Sequence, residues 1–94
     1  MTNTPAETTR FIDNDRVRVT EWRFAPGTET GRHVHEMDYV VVPLITGTLA
    51  VVDDDGERDN NITHGVPYLR KAGVEHNVVN RGGEEVAFME IELK

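Results

Sequence analysis

The chain has no cysteine, so neither a disulfide nor a thiolate metal site can help hold it together. That suits a reducing compartment, and a cytoplasmic protein is the expectation. Long apolar runs are also missing. The longest, Val40 to Ile45, is six residues and is interrupted by Pro43, far short of the roughly 18 residues a membrane helix needs. The opening stretch MTNTPAETTR lacks the apolar segment of a secretory signal and is expected to be frayed. Basic residues are few, ten Lys and Arg against 17 Asp and Glu, for a net charge of −7. They are scattered as well, so no basic face is available for a polyanion, and nucleic acid is excluded as a partner. The acidity serves solubility. No phosphate-binding glycine loop, Gly-x-Ser-x-Gly elbow or dinucleotide fingerprint occurs, which sets aside nucleotide-dependent and serine-hydrolase chemistry. At 94 residues, one domain spanning 1–94 is expected, burying about 65% of its unfolded surface.

What the chain does have is valine and punctuation. Thirteen valines face four leucines and four isoleucines, and β-branched side chains fit a pleated, half-buried surface. Gly and Pro recur at short intervals: Pro26-Gly27, Gly31, Gly47, Asp55-Gly56, Gly65, Gly73 and Gly82-Gly83. Short strands between such turns indicate an all-β sandwich or barrel. No stretch of 11 or more residues shows helical periodicity. The strands expected are Arg16 to Ala25, Arg32 to Val34, Tyr39 to Leu44, Thr48 to Val52 in a hairpin with Arg58 to Thr63, Pro67 to Lys71, His76 to Asn80, and Val86 to Leu93. Closing an antiparallel sheet into a barrel removes its sticky edges and leaves a mouth that can hold one ligand.

The chemistry starts at His33-Val34-His35. On a strand, residues i and i+2 project from the same face, so two imidazoles can share one metal ion if a third ligand comes from elsewhere. His76, in Gly73-Val74-Glu75-His76, is the natural candidate. His64, before Gly65 at a turn, reads as a surface residue. Glu90 and Glu92 in the last strand read as a solvated, outward stripe. Trp22, Phe24, Phe88 and Met89 read as the apolar wall. Arg70 and Lys71 flank a strand start and read first as surface cations, with an inward carboxylate anchor as the alternative. The sequon Asn61-Ile62-Thr63 carries no weight without a signal peptide.

Two spacings resemble those of a known family. Gly27-(x5)-His33-x-His35 resembles the first half of the cupin motif. Gly65-(x5)-Lys71-x-Gly73-(x2)-His76-(x3)-Asn80 is similar to the second, with Lys71 where the family usually has proline. The resemblance covers roughly Val17 to Leu93. It implies a double-stranded β-helix, the cupin jelly-roll barrel, in which His33, His35 and His76 bind a divalent transition metal (Fe, Ni, Zn, Mn or Cu), and it implies a homodimer. The family usually places a glutamate ligand four or five residues after the second His, where this chain has Tyr39 and Val40. The fourth position is therefore open to Tyr39, Asp38, Glu36 or water. The runs around His35 and Arg70 are similar to those of small single-domain cupins associated with β-alanine degradation.

Three imidazoles with no thiolate make a catalytic or ligand-binding centre rather than a closed structural one. An inward Tyr39 would be a catalytic hydrogen-bond donor to substrate or bound water. The resemblance extends to thiol and diketone dioxygenases of the cupin class, which use three His without the glutamate. The function expected first is thus a metal-dependent oxidoreductase, a dioxygenase acting on a small polar metabolite. The alternatives are a non-catalytic cupin that binds a small-molecule ligand through its metal, and a metal-activated isomerase or lyase.

Overall fold

A computed structural model describes residues 4–94. It contains strands β1 (Thr4–Pro5), β2 (Glu7–Asp13), β3 (Val17–Phe24), β4 (Thr28–Glu29), β5 (His33–Val34), β6 (Asp38–Ile45), β7 (Gly47–Asp53), β8 (Gly56–Ile62), β9 (Tyr68–Arg70), β10 (Glu75–Val79) and β11 (Val86–Leu93). Among the described residues no helix is long and apolar enough to cross a membrane. One sheet runs β1-β4-β10-β7-β8, with β5 also pairing to β10, and the other runs β2-β3-β11-β6-β9. The two inner faces meet in one core: Phe24, Tyr39, Val41, Val86 and Phe88 from the second sheet against Leu49, Ile62 and Val78 from the first. This is the jelly-roll architecture, two sheets packed face to face around one core.

Every strand expected from valine alternation and Gly/Pro punctuation is present, with ends shifted by one or two residues. The frayed amino terminus is a correction. From Thr4 onward the chain is paired, β1 in parallel with β4 and β2 along β3; Met1 to Asn3 lie outside the described residues. All seven residues of β2 are solvent-exposed, so this strand has no buried face and no apolar alternation to betray it. Its stability comes from the β3 ladder rather than from burial. The short β4 was also missed, since two residues carry no period.

The inner face of the second sheet has a simple register. On β11 the even positions point inward, and each sits between an inward residue of β3 and one of β6. Phe88 lies between Trp22 and Pro43, Glu90 between Thr20 and Val41, and Glu92 between Arg18 and Tyr39. The face therefore turns from aromatic to ionisable along its length. Met89 has the opposite parity and does not join the apolar wall, a second correction; Trp22, Phe24 and Phe88 do.

Asn80, at the end of β10, is fully buried. Its side-chain amide donates to the carbonyls of Phe24 (3.0 Å) and Glu84 (2.7 Å), and its Oδ1 accepts from Gly82 N–H (3.0 Å). One side chain thus ties the β3–β4 turn to the β10–β11 turn. The second-motif asparagine therefore holds the far end of the barrel rather than the site. Replacing it leaves the buried Phe24 carbonyl without its side-chain donor and unties the Glu84 carbonyl and Gly82 amide of the turn. We expect Asn80→Ala to lower unfolding stability by about 2–4 kcal/mol, read as a fall in the urea midpoint at unchanged slope.

Candidate metal centre

His33 and His76 are direct cross-strand partners in the β5–β10 ladder, so their side chains leave the same face. The pairing continues beyond β5: His35 N–H donates to Val74 O (2.9 Å) and Gly73 N–H to His35 O (2.7 Å). His35 is two residues from His33 on that face, and the three rings converge. His33 Nε2 lies 2.9 Å from His35 Nε2, which lies 3.0 Å from His76 Nε2. Ring centroids are 4.6–4.9 Å apart, with planes nearly perpendicular. The Nε2 atoms of the three rings thus turn toward one another, as a common ligand requires.

The protonation states suit the same purpose. His33 Nδ1 is 2.8 Å from Gly31 O; a carbonyl can only accept, so Nδ1 carries a hydrogen and Nε2 is the nitrogen turned toward the other two rings. His35 and His76 are buried, and burial, with the neighbouring imidazoles, pushes both down to about 4. They are therefore neutral near pH 7, the form that binds metal. Among the described residues, these three histidines are the group of metal-ligating side chains close enough to share an ion.

Of the other fourth-ligand candidates, Glu36 is exposed, and the Asp38 carboxylate is engaged by Ala72 N–H at 2.8 Å. Neither joins the cluster. Tyr39 is buried, and its ring stacks on His35 at 4.0 Å with planes 19° apart. Burial, with the charge of Glu90, pushes its hydroxyl up to about 12. It is thus a neutral O–H donor, not a phenolate.

The triad sits in the wall of a cavity of about 300 Å³ between the sheets. Trp22, Tyr39, Tyr68 and Phe88 form its aromatic sides, and Val41, Leu49, Val51 and Val78 its aliphatic sides. Arg58, Asn60, Tyr68 and Arg70 contribute polar groups. Asn60 donates to the Tyr68 hydroxyl (3.1 Å), the Arg70 guanidinium lies 4.4 Å over the Tyr68 ring, and Arg58 is bound to Asp53 (2.6 Å). Arg70 thus borders the cavity and Lys71 does not. His64 is exposed, as expected. Arg58 and Asn60 were not found from sequence, because β8 reads as uniformly polar.

The main correction concerns Glu90. It is not solvated but 8% exposed and lines the cavity; Glu92 beside it is half-buried and meets Arg18 at 3.8 Å. Burial, then the charge of Glu92, pushes the Glu90 carboxyl up to about 7, against smaller opposing pulls from Trp22, Arg10 and Arg18. The folded chain holds this proton more tightly than the unfolded chain does. Stability is therefore highest below about 4.5, the ordinary value, and is lost as pH rises through about 7. Glu90→Gln removes that loss. The variant should gain up to about 3 kcal/mol over the parent between pH 4.5 and pH 8, measured as the pH dependence of the difference in melting temperature.

With this geometry in view, comparison with known proteins agrees. The cupin domain family matches residues 20–92. The beta-alanine degradation protein BauB of Pseudomonas aeruginosa is 58% identical over 83 residues, covering 88% of this chain and 87% of that protein. The crystal structure of a cupin domain from Bordetella pertussis Tohama I superposes with a TM-score of 0.96 at 53% identity, covering 100% of this chain and 98% of the other. The polyketide cyclase RemF of Streptomyces resistomycificus shares the fold alone, with a TM-score of 0.74 at 22% identity over 99% of this chain and 70% of its own. A three-histidine wall inside a jelly roll, both motifs that carry it, and these similarities lead to one assignment: the chain belongs to the cupin family.

Proposed function

We propose that the chain is a metal-dependent cupin oxidoreductase, a dioxygenase acting on a small polar metabolite in the cytoplasm. The observation that carries this reading is the convergence of three imidazole nitrogens, with no protein carboxylate among them, in the wall of a ligand-sized cavity. Two nitrogens each about 2.1 Å from one ion and at right angles to each other stand about 3 Å apart, close to the 2.9 and 3.0 Å separations of the Nε2 atoms. His33, His35 and His76 would hold the ion, and the positions they leave open would face the cavity. When bound, a redox-active ion such as Fe(II) would supply one-electron chemistry toward dioxygen and Lewis acidity toward substrate oxygens.

The chain's own residues do the rest. Gly31 O fixes the ring orientation of His33. Tyr39, packed flat on His35, offers its O–H as a hydrogen-bond donor to the substrate. Trp22, Phe88 and the valines exclude water and limit substrate size. Arg70, held on Tyr68, is available for a carboxylate. The name of the Pseudomonas relative, a β-alanine degradation protein, supports a metabolite of amino-acid size. A homodimer belongs to this reading; exposed Phe11 and Ile12 on edge strand β2 support it.

Elemental analysis of untagged protein, produced without added metal, should find substoichiometric iron or another first-row metal. His76→Ala should lose most of it, since two imidazoles bind far more weakly than three; unchanged metal content would remove His76 from the ligand set. The iron-loaded protein should consume O2 with thiol, diketone or catechol-like substrates, followed with an oxygen electrode. Turnover without O2 would move the assignment to an isomerase or lyase. Binding of metal and ligand with no turnover would leave a binding cupin.

A further inference from the structure

The cavity has a second polar pole that the metal reading does not use. On β11, Glu92 finds Arg18 at 3.8 Å, but no Lys, Arg or His nitrogen lies within 4 Å of Glu90 among the described residues. Around Glu90 the polar groups of β3 turn toward it. Thr20 Oγ1, on its direct cross-strand partner, is buried with no hydrogen-bond partner, and Trp22 Nε1, two residues along, is buried with the Glu90 carboxyl as its one acceptor, short of a hydrogen bond of ordinary geometry. A native core satisfies such groups unless something else does so in use. The surrounding faces are aromatic: Trp22, Tyr39, Tyr68 and Phe88 line the same cavity. A carboxylate with no protein cation, enclosed by π faces, is a site for a positive charge that arrives with the ligand.

We propose that Glu90 is a specificity-determining residue that receives a primary ammonium group, so that the cavity selects small aliphatic amines or amino acids. The inference rests on the cavity being the ligand site of the proposed function, and names its substrate class. The ammonium donates to the Glu90 carboxylate while the rings of Trp22 and the tyrosines face its positive charge. The rest of a short molecule then extends toward the triad, bordered by Tyr39, which stacks on His35.

The electrostatics agree in sign. Burial and Glu92 disfavour the charge of Glu90 in the free cavity, with the Trp22 indole N–H, then Arg10 of β2 and Arg18 of β3, opposing. Tyr39 of β6 and Tyr68 of β9 also face it and stay neutral, and Arg70 of β9 lies over Tyr68. An arriving ammonium replaces the carboxyl proton. Its affinity should therefore rise with pH through about 7 and fall only when the amine itself deprotonates.

The test is calorimetric or NMR titration of the full chain, as purified and after dialysis against a chelator, with n-propylammonium and the near-isosteric n-propanol. At pH 8 the ammonium should bind about tenfold or more tightly than the alcohol, as expected for a charge-assisted hydrogen bond. The preference should shrink at pH 5.5. Glu90→Gln, checked for native circular dichroism, should abolish it. Glu7→Gln, which removes the same charge from an exposed strand, should leave it intact and so exclude an effect of net charge. Equal binding of the two probes by the parent, or a preference that survives in Glu90→Gln, would overturn the inference. So would a preference lost on metal removal with Glu90 intact, which would place amine recognition at the triad. A preference that persists in His76→Ala after its metal is gone would uphold Glu90 even if the metal-dependent reading failed.

Discussion

The short antiparallel ladder between β5 and β10 is the constraint from which the site follows. It sets His76 opposite His33, and continues through the His35–Val74 and Gly73–His35 hydrogen bonds. Two segments more than 40 residues apart in sequence are thereby locked at single-residue register. A slip of one residue would turn an imidazole to the opposite face, and the convergence of three ε-nitrogens would be lost. The ladder is short, so its register depends on the longer pairing of β10 with β7 on the same sheet. The barrel in this way holds the histidines in register.

The opposing sheet supplies the chemistry the histidines lack. Its inner face passes along β11 from Phe88 through Glu90 to Glu92. The first excludes water, the last is neutralised by Arg18, and the middle one is left buried without a cation. Holding a carboxyl in that state costs stability at neutral pH. A barrel with a modest core that carries such a cost, beside an unmet Thr20 hydroxyl, has its polar groups arranged for a ligand rather than for packing. The cavity is thus bipolar, with electron-pair donors at the triad and a proton-hungry carboxylate elsewhere in its wall.

Much of this was readable in the chain. The i, i+2 spacing of His33 and His35 places both rings on one face wherever that segment is extended, and Tyr39, four residues on, lies buried against His35. The role of Glu90 was missed although the needed signal was present. The parity that puts Phe88 in the apolar wall puts Glu90 there too, because side chains two apart on a strand share a face. Two glutamates near a chain end read as a solvated stripe, and that compositional prior overrode the periodicity. Strand β2 could not be found the same way, since it buries nothing and its pairing is a property of its neighbour β3.

By itself, the sequence determined the all-β class, the positions of the main strands and the identity of three imidazoles that can act together, because these depend on local periodicity, composition and spacing. Only the tertiary structure decided that Glu36 and Asp38 stay out of the cluster, that Asn80 pins the distant turns, that Arg58 and Asn60 border the cavity, and that Glu90 is buried without a cation. Each of these depends on which strand packs across from which, and burial and electrostatic partnership arise from contacts between segments that no local pattern encodes.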